Sequence, residues 1–213
     1  MPSLDAVLNA FVTLLVTIDP IGNAPIFLGL TAGVEASARR GIAVRGALIG
    51  FGVLRLFALS GTAVLDAMGI TIDAFRVAGG LLLFFTAFEM IYGRREGRKS
   101  EASDAAREDR IADLAVFPLA IPLLAGPGAI SATILLSSEL AGAAGGRWAG
   151  TAVLVALLLA LMALAALVLV VAETLDGYIG RTGKLVVTRL LGVLLAALSV
   201  QYVADGVRAL AAG

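Results

Sequence analysis

"TIDPIGNAPIFLGLT", Thr17 to Thr31, sets an aspartate, two prolines and two glycines inside an otherwise apolar run. A core helix of a water-soluble protein is not built this way, because proline removes a backbone donor and a lone carboxylate resists burial. The surroundings explain it. Of the 213 residues 60% are hydrophobic and only 15% charged, and the mean hydropathy is +0.99. Ala149 to Ala172 carries no charge at all and exceeds the ~20 residues needed to cross a bilayer core as a helix. The chain reads as an integral membrane protein, and the interrupted stretch lies within its first hydrophobic segment.

Hydropathy predicts six spans, at about residues 6–30, 43–65, 70–92, 114–137, 149–172 and 185–207. No Lys or Arg precedes the first apolar run, which carries Asp5 instead, so that run is expected to stay as a span and not to be cleaved as a signal peptide. The loops after spans one, three and five hold ten Lys and Arg residues, from Arg39 to Lys184. The opposite side holds two, Arg147 and Arg208. Positive-inside bias then places both termini outside and the three basic loops in the cytoplasm.

Residues 94–113 form one charged cytoplasmic linker, in which Arg94, Arg95, Arg98 and Lys99 cluster beside span three. Such a cluster fits either a topology-fixing charge block or an anionic-lipid contact. The linker divides the chain into residues 1–93 and 114–213, and the halves resemble each other. Pro20 and Pro25 are five apart in the first half, as are Pro122 and Pro127 in the second, and at the same offset Thr31 falls on Thr133. "RVAGGLLLFFT" (Arg76 to Thr86) lines up with "RLLGVLLAALS" (Arg189 to Ser199). Three spans per half is an odd number, so the second half enters the membrane upside down. The expected fold is therefore all-α and polytopic, six transmembrane helices forming two inverted three-helix repeats, each with a broken first helix.

A broken helix exposes N–H groups at the start of its second piece and carbonyls at the end of its first. The N–H end attracts a carboxylate, Gly22, Gly126 and Gly128 allow close backbone approach, and Asn23 offers an acceptor and two donors. Asp19, Pro20, Gly22, Asn23 and Pro25, with Pro122, Gly126, Pro127 and Gly128, are the candidate substrate-binding residues. Proline kinks that only shape helix packing are the plainer alternative.

Asp19 is the candidate ion-coupling residue, because a carboxylate at the bilayer centre costs about 2.5–3.5 kcal/mol unless paired or protonated. It fits a proton carrier, a sodium ligand or a partner for a substrate ammonium, and equally a cap for the second half-helix. Arg55, mid-way along span two, is the candidate structural partner for Asp19 by depth. Arg45, Arg76, Glu89 and Arg189 sit near span ends and are expected to snorkel. Gln201 and Asp205 lie towards the outside, as a solvated end or an exit path. Ser131, Thr133, Ser137 and Ser138 are expected to bond backbone carbonyls, and Gly46 and Gly50 to permit close helix packing.

The chain has no histidine or cysteine, and neither a P-loop nor a Gly-x-Ser-x-Gly element. An ATPase of the P-loop class is excluded, and no enzyme activity, metal site or bound cofactor is expected beyond a coupling proton or sodium ion. No nucleic-acid partner is expected. The partners expected are the lipid bilayer and a small-molecule substrate, with a homo-oligomer allowed but not specified.

"DPIGNAPIF", "FRVAGGLLLF", "PLAIPLLAGPGAIS" and "LSVQYVADGV" occur in that order along the chain, which in these stretches resembles the MarC family of small bacterial inner-membrane proteins. The resemblance implies six spans, a multi-pass inner-membrane location and a group of neutral amino-acid transporters related to LysE-type exporters. The function expected is a secondary transporter of a small neutral amino acid, working as an exporter through a midplane site. The alternative is a passive small-solute channel or facilitator using the same two half-helices.

Overall fold

The computed structural model describes residues 2–31, 33–92, 113–143 and 146–212, and within them it is helical, with no strands. The first helix, α1 (Leu4–Ile18), is capped by the Ser3 hydroxyl, which accepts from the Ala6 N–H at 3.2 Å. It stops at Asp19 because a residue before proline is driven out of the right-handed helical region. Asp19 instead takes the left-handed conformation, φ 51° and ψ 63°, and α2 (Pro20–Leu30) restarts with Pro20 at its first position.

α3 (Ala36–Ala67) ends in a left-handed turn at Gly69, φ 69°, and Ile70 N–H returns to the Leu65 carbonyl at 2.9 Å. α4 (Ile72–Tyr92) is capped by the Thr71 hydroxyl, which accepts from Ala74 N–H at 3.2 Å. Residues 94–112 of the expected charged linker lie outside the described residues. The chain resumes as a wound but irregular segment, Val116–Leu124, in which Phe117 and Ile121 are extended. Each precedes a proline, which accounts for both departures. After a break at Ala125 and Gly126, α5 (Pro127–Ala143) leaves at an angle of 52° to that segment. α6 (Arg147–Val170) and α7 (Ala172–Ala212) complete the chain.

By length and composition five spans are long and apolar enough to cross a bilayer, and the bent pair makes a sixth. They fall where hydropathy places them, with three differences. α3 begins at Ala36, α5 continues to Ala143, and α7 starts at Ala172, so the expected loop before residue 185 is helical. Leu48, Leu56, Leu81, Phe84, Leu159, Leu190 and Leu194 are exposed on the outside, the apolar surface that a bilayer solvates.

α4 lies along α7, α3 along α6, and α1 against α5, while α2 packs on α6 and α7. The α4–α7 pair is antiparallel, because Gly206 faces Asp73 and Val77, Gly80 faces Ser199 and Val203, and Gly192 faces Ala87 and Met90. A methyl group at Gly80 would lie 3.0 Å from the Ser199 carbonyl, so the backbones meet too closely for a larger residue. Gly46 and Gly50 of α3 meet Leu119 and Leu124. The small face of α3 thus receives the irregular segment and holds the second break against the first.

Candidate functional site

The two breaks meet in the interior. Asn23 is fully buried, and its Nδ2 donates to the Ile18 carbonyl at 2.8 Å and to the Leu123 carbonyl at 3.3 Å. Ile18 is the last residue of α1, and Leu123 lies at the end of the irregular segment. One side chain therefore satisfies carbonyls freed by both interruptions, where an unpaired buried carbonyl would cost about 1–3 kcal/mol.

Asp19 is 2% exposed, and its Oδ1 accepts the Gly22 N–H at 3.0 Å while its carbonyl accepts the Asn23 N–H at 3.1 Å. The carboxylate occupies the anion seat of α2. A hydrogen bond to a charged group contributes about 1.5–3 kcal/mol and the helix dipole about 0.3–1 kcal/mol. Together they offset most of the cost of about 2.5–3.5 kcal/mol for a carboxylate at this depth. Gly22 is required here, since a Cβ would overlap the Asp19 carboxylate.

The second break is built differently. Gly126 precedes the opening proline of α5 as Asp19 precedes that of α2, and having no side chain it offers no cap. Among the described residues the N–H groups of Gly128 and Ala129 meet no acceptor, whereas Ile130 N–H reaches the Gly126 carbonyl at 3.0 Å. A Cβ at Gly126 would lie 2.7 Å from the Pro122 carbonyl, and one at Gly128 would lie 2.9 Å from Thr86 Oγ1. Pro122 and Gly126 are half-buried, Gly128 is buried and Pro127 is exposed. The break thus presents backbone donors and little side-chain bulk. Pro20 is buried and Pro25 half-buried in α2.

Arg55 is placed elsewhere. It is exposed and lines a groove of about 390 Å³ with Leu59, Trp148 and Thr151, between α3 and α6. No ion pair within 4.0 Å joins it to Asp19 among the described residues. Depth matched the two charges, but the helix face did not. Gln201 donates to both carboxylate oxygens of Asp205, at 2.9 and 3.0 Å, and Arg208 lies 3.4 Å from the same carboxylate. Thr133 and Ser137 bond the Ala129 and Ala58 carbonyls, at 2.7 and 3.0 Å.

A polar cluster that the sequence reading did not single out lies beside α1. Tyr202 of α7, 5% exposed, donates through its hydroxyl to Glu139 Oε2 of α5 at 3.4 Å. Arg76 of α4 is paired with Asp73 at 3.0 Å. The available signal was Glu139 itself, a carboxylate two residues past the expected end of span four.

A polytopic helical membrane protein with two helix breaks joined in its interior is the class these features define. The chain belongs to the MarC family: residues 4–211 match the family described as MarC family integral membrane protein. It is 36% identical to a UPF0056 membrane protein of Archaeoglobus fulgidus, over 92% of this chain and 90% of that one. It is 34% identical to UPF0056 membrane protein YvbG of Bacillus subtilis, over 95% and 94% of the two chains. A Methanocaldococcus jannaschii relative, MJ1677, is 36% identical over 93% and 94%. The relatives thus include archaeal as well as bacterial proteins. No solved structure matches the chain.

Proposed function

We infer that this protein is a secondary transporter of a small neutral amino acid, working as an exporter through the two breaks. The observation that carries the reading is the Asn23 amide bridging Ile18 and Leu123, because it puts both interruptions into one buried polar site. Breaks in corresponding positions of two half-proteins are the arrangement in which secondary transporters bind substrate.

The unfilled donors of Gly128 and Ala129 suit a substrate carboxylate. The Asp19 carboxylate suits its ammonium, or the coupling proton or sodium ion that would release the Gly22 N–H. With Asp19 and Asn23 buried, the site is closed to solvent in this conformation, so transport requires the halves to move. Packing of α4 on α7 and of α3 on α6 supports two inverted repeats, 1–93 and 114–213, as the moving parts. Loop charge supports an orientation with both termini outside the cytoplasmic membrane.

The test is movement of labelled alanine by purified protein in liposomes, with and without a pH or sodium gradient. Accumulation driven by a gradient and lost in Asp19→Asn is the expected result. Movement that only equilibrates would replace the transporter with a passive facilitator. No movement of alanine, glycine or serine would remove the neutral amino-acid reading.

A further inference from the structure

The groove between α3 and α6 opens on the outside of the bundle, where Arg55, Leu59 and Leu159 are exposed. Its volume is about 390 Å³, and Trp148, Thr151 and Val155 also line it. The two helices run antiparallel here, because Arg147 reaches Leu59 and Thr62 while Met162 faces Gly50. The groove therefore has a polar end and an apolar end. Arg147 and Trp148 open α6 at the polar end, and Trp148 is 80% exposed. Leu159 stands at the other end, roughly 16 Å further along α6 at 1.5 Å per residue. A bilayer core about 30 Å thick has leaflets of about 15 Å, so the groove runs the depth of one leaflet.

Two guanidinium groups border this groove without a carboxylate. Arg76 and Arg208 pair with Asp73 and Asp205, but among the described residues no carboxylate lies within 4.0 Å of Arg55 or Arg147. Arg147 engages only neutral acceptors, the Leu59 carbonyl at 3.4 Å and the Thr62 hydroxyl at 3.3 Å, both through Nη2. Arg55 precedes Leu59 by one turn of α3, on the same face and about 6 Å deeper into the span. An uncompensated charge at such depth is costly, and an anion shared by both arginines removes that cost.

The surroundings select the anion. Exposed Leu48, Leu56 and Leu159 make this face one that a bilayer solvates. A free phosphate would leave Leu59, Val155 and Leu159 uncovered, and phosphatidylcholine carries its own cation beside its phosphate. An anionic phospholipid matches both ends, with a phosphate for the arginines and a chain for the apolar floor. A tryptophan at the mouth suits the boundary between headgroup and chain. We propose that this groove is a binding site for an anionic phospholipid, its phosphate held by Arg55 and Arg147 and one acyl chain laid along Leu59, Val155 and Leu159. The site is independent of the transport reading, since a protein that moves no amino acid would still hold the lipid.

Trp148 is the only tryptophan in the chain, so its fluorescence reports on this groove alone. The deciding experiment places the purified full chain in phosphatidylcholine bilayers and replaces part of the lipid with brominated phosphatidylglycerol. Brominated phosphatidylcholine at the same mole fraction is the comparison, because bromine quenches a tryptophan that it touches. Half-quenching is expected at a mole fraction of the anionic lipid at least about fivefold lower, since each basic residue near a membrane surface contributes about that factor. Arg55→Gln and Arg147→Gln should each reduce the preference about fivefold, while quenching by brominated phosphatidylcholine stays as in wild type and shows the groove intact. Arg40→Gln, at the far end of α3, should leave the preference unchanged. Equal quenching by the two lipids overturns the site, as does a full preference in either groove variant or an equal loss in Arg40→Gln. Loss of the preference on adding inorganic phosphate would make this a site for free phosphate. Protection of Trp148 from both brominated lipids would mean that a second copy of the chain covers the groove. Either outcome overturns the proposal.

Discussion

Asn23 Nδ2 lies 3.3 Å from the Leu123 carbonyl, a bond between residues one hundred positions apart. With the 2.8 Å bond to Ile18 it closes the ends of two interrupted helices onto one amide. An Asn23→Ala protein loses both bonds and leaves two buried carbonyls without partners. At about 1 kcal/mol for each bond, it should unfold with roughly 2 kcal/mol less stability. Membrane hydrogen bonds measured by double-mutant cycles average only about 0.6 kcal/mol, so a loss near 1 kcal/mol is the lower bound. Thermal or steric-trap unfolding in bilayer mimetics measures it. A variant as stable as wild type would show that the bridge does not join the halves.

Asp19 serves both as a left-handed residue and as a cap, and two substitutions separate these roles from its charge. Asn tolerates the left-handed region and keeps a side-chain acceptor. Asp19→Asn should therefore insert and unfold within about 0.5 kcal/mol of wild type while losing gradient-driven transport. Ala in the same conformation costs about 1–2 kcal/mol, and the lost cap about 1 kcal/mol. Asp19→Ala should thus be destabilised by roughly 2–3 kcal/mol. Normal transport by Asp19→Asn would remove Asp19 from the coupling mechanism.

The sequence carried the span count because hydrophobic length is a local property, and it carried both breaks because Asp19–Pro20 and Pro122–Pro127 announce them chemically. It did not carry the partners. Asn23 bonds a backbone carbonyl of Leu123, and any residue type could have supplied that carbonyl. Arg55 matched Asp19 in depth, but hydropathy in a span apolar all round does not say which face turns inward, and Arg55 is on the exposed one. Glu139 escaped notice because span four was ended six residues early. α5 runs on to Ala143, and the added turns carry that carboxylate to Tyr202.

The glycines divide by what surrounds them. A Cβ at Gly22 would overlap the Asp19 carboxylate, and one at Gly126 would lie 2.7 Å from the Pro122 carbonyl, whereas at Gly29 nothing stands within 4 Å. Gly22→Ala should displace the carboxylate from the start of α2, and Gly126→Ala should open the second break. Both should lower transport at least tenfold. Gly29→Ala fills open space inside a helix, and with about 0.5–1 kcal/mol gained from reduced backbone entropy it should be neutral or stabilising. Transport by the three variants, normalised to protein in the membrane, checks the ranking, and equal activity in all three would remove the breaks from the site.

Orientation can be read directly because the chain contains no cysteine. Ser3 lies before α1, and Ser100 lies in the segment carrying the densest basic cluster. Ten basic residues against two should hold Ser100 in the cytoplasm. In intact cells a membrane-impermeant thiol reagent should label Ser3→Cys and spare Ser100→Cys until the cells are permeabilised. The reverse pattern would invert the protein.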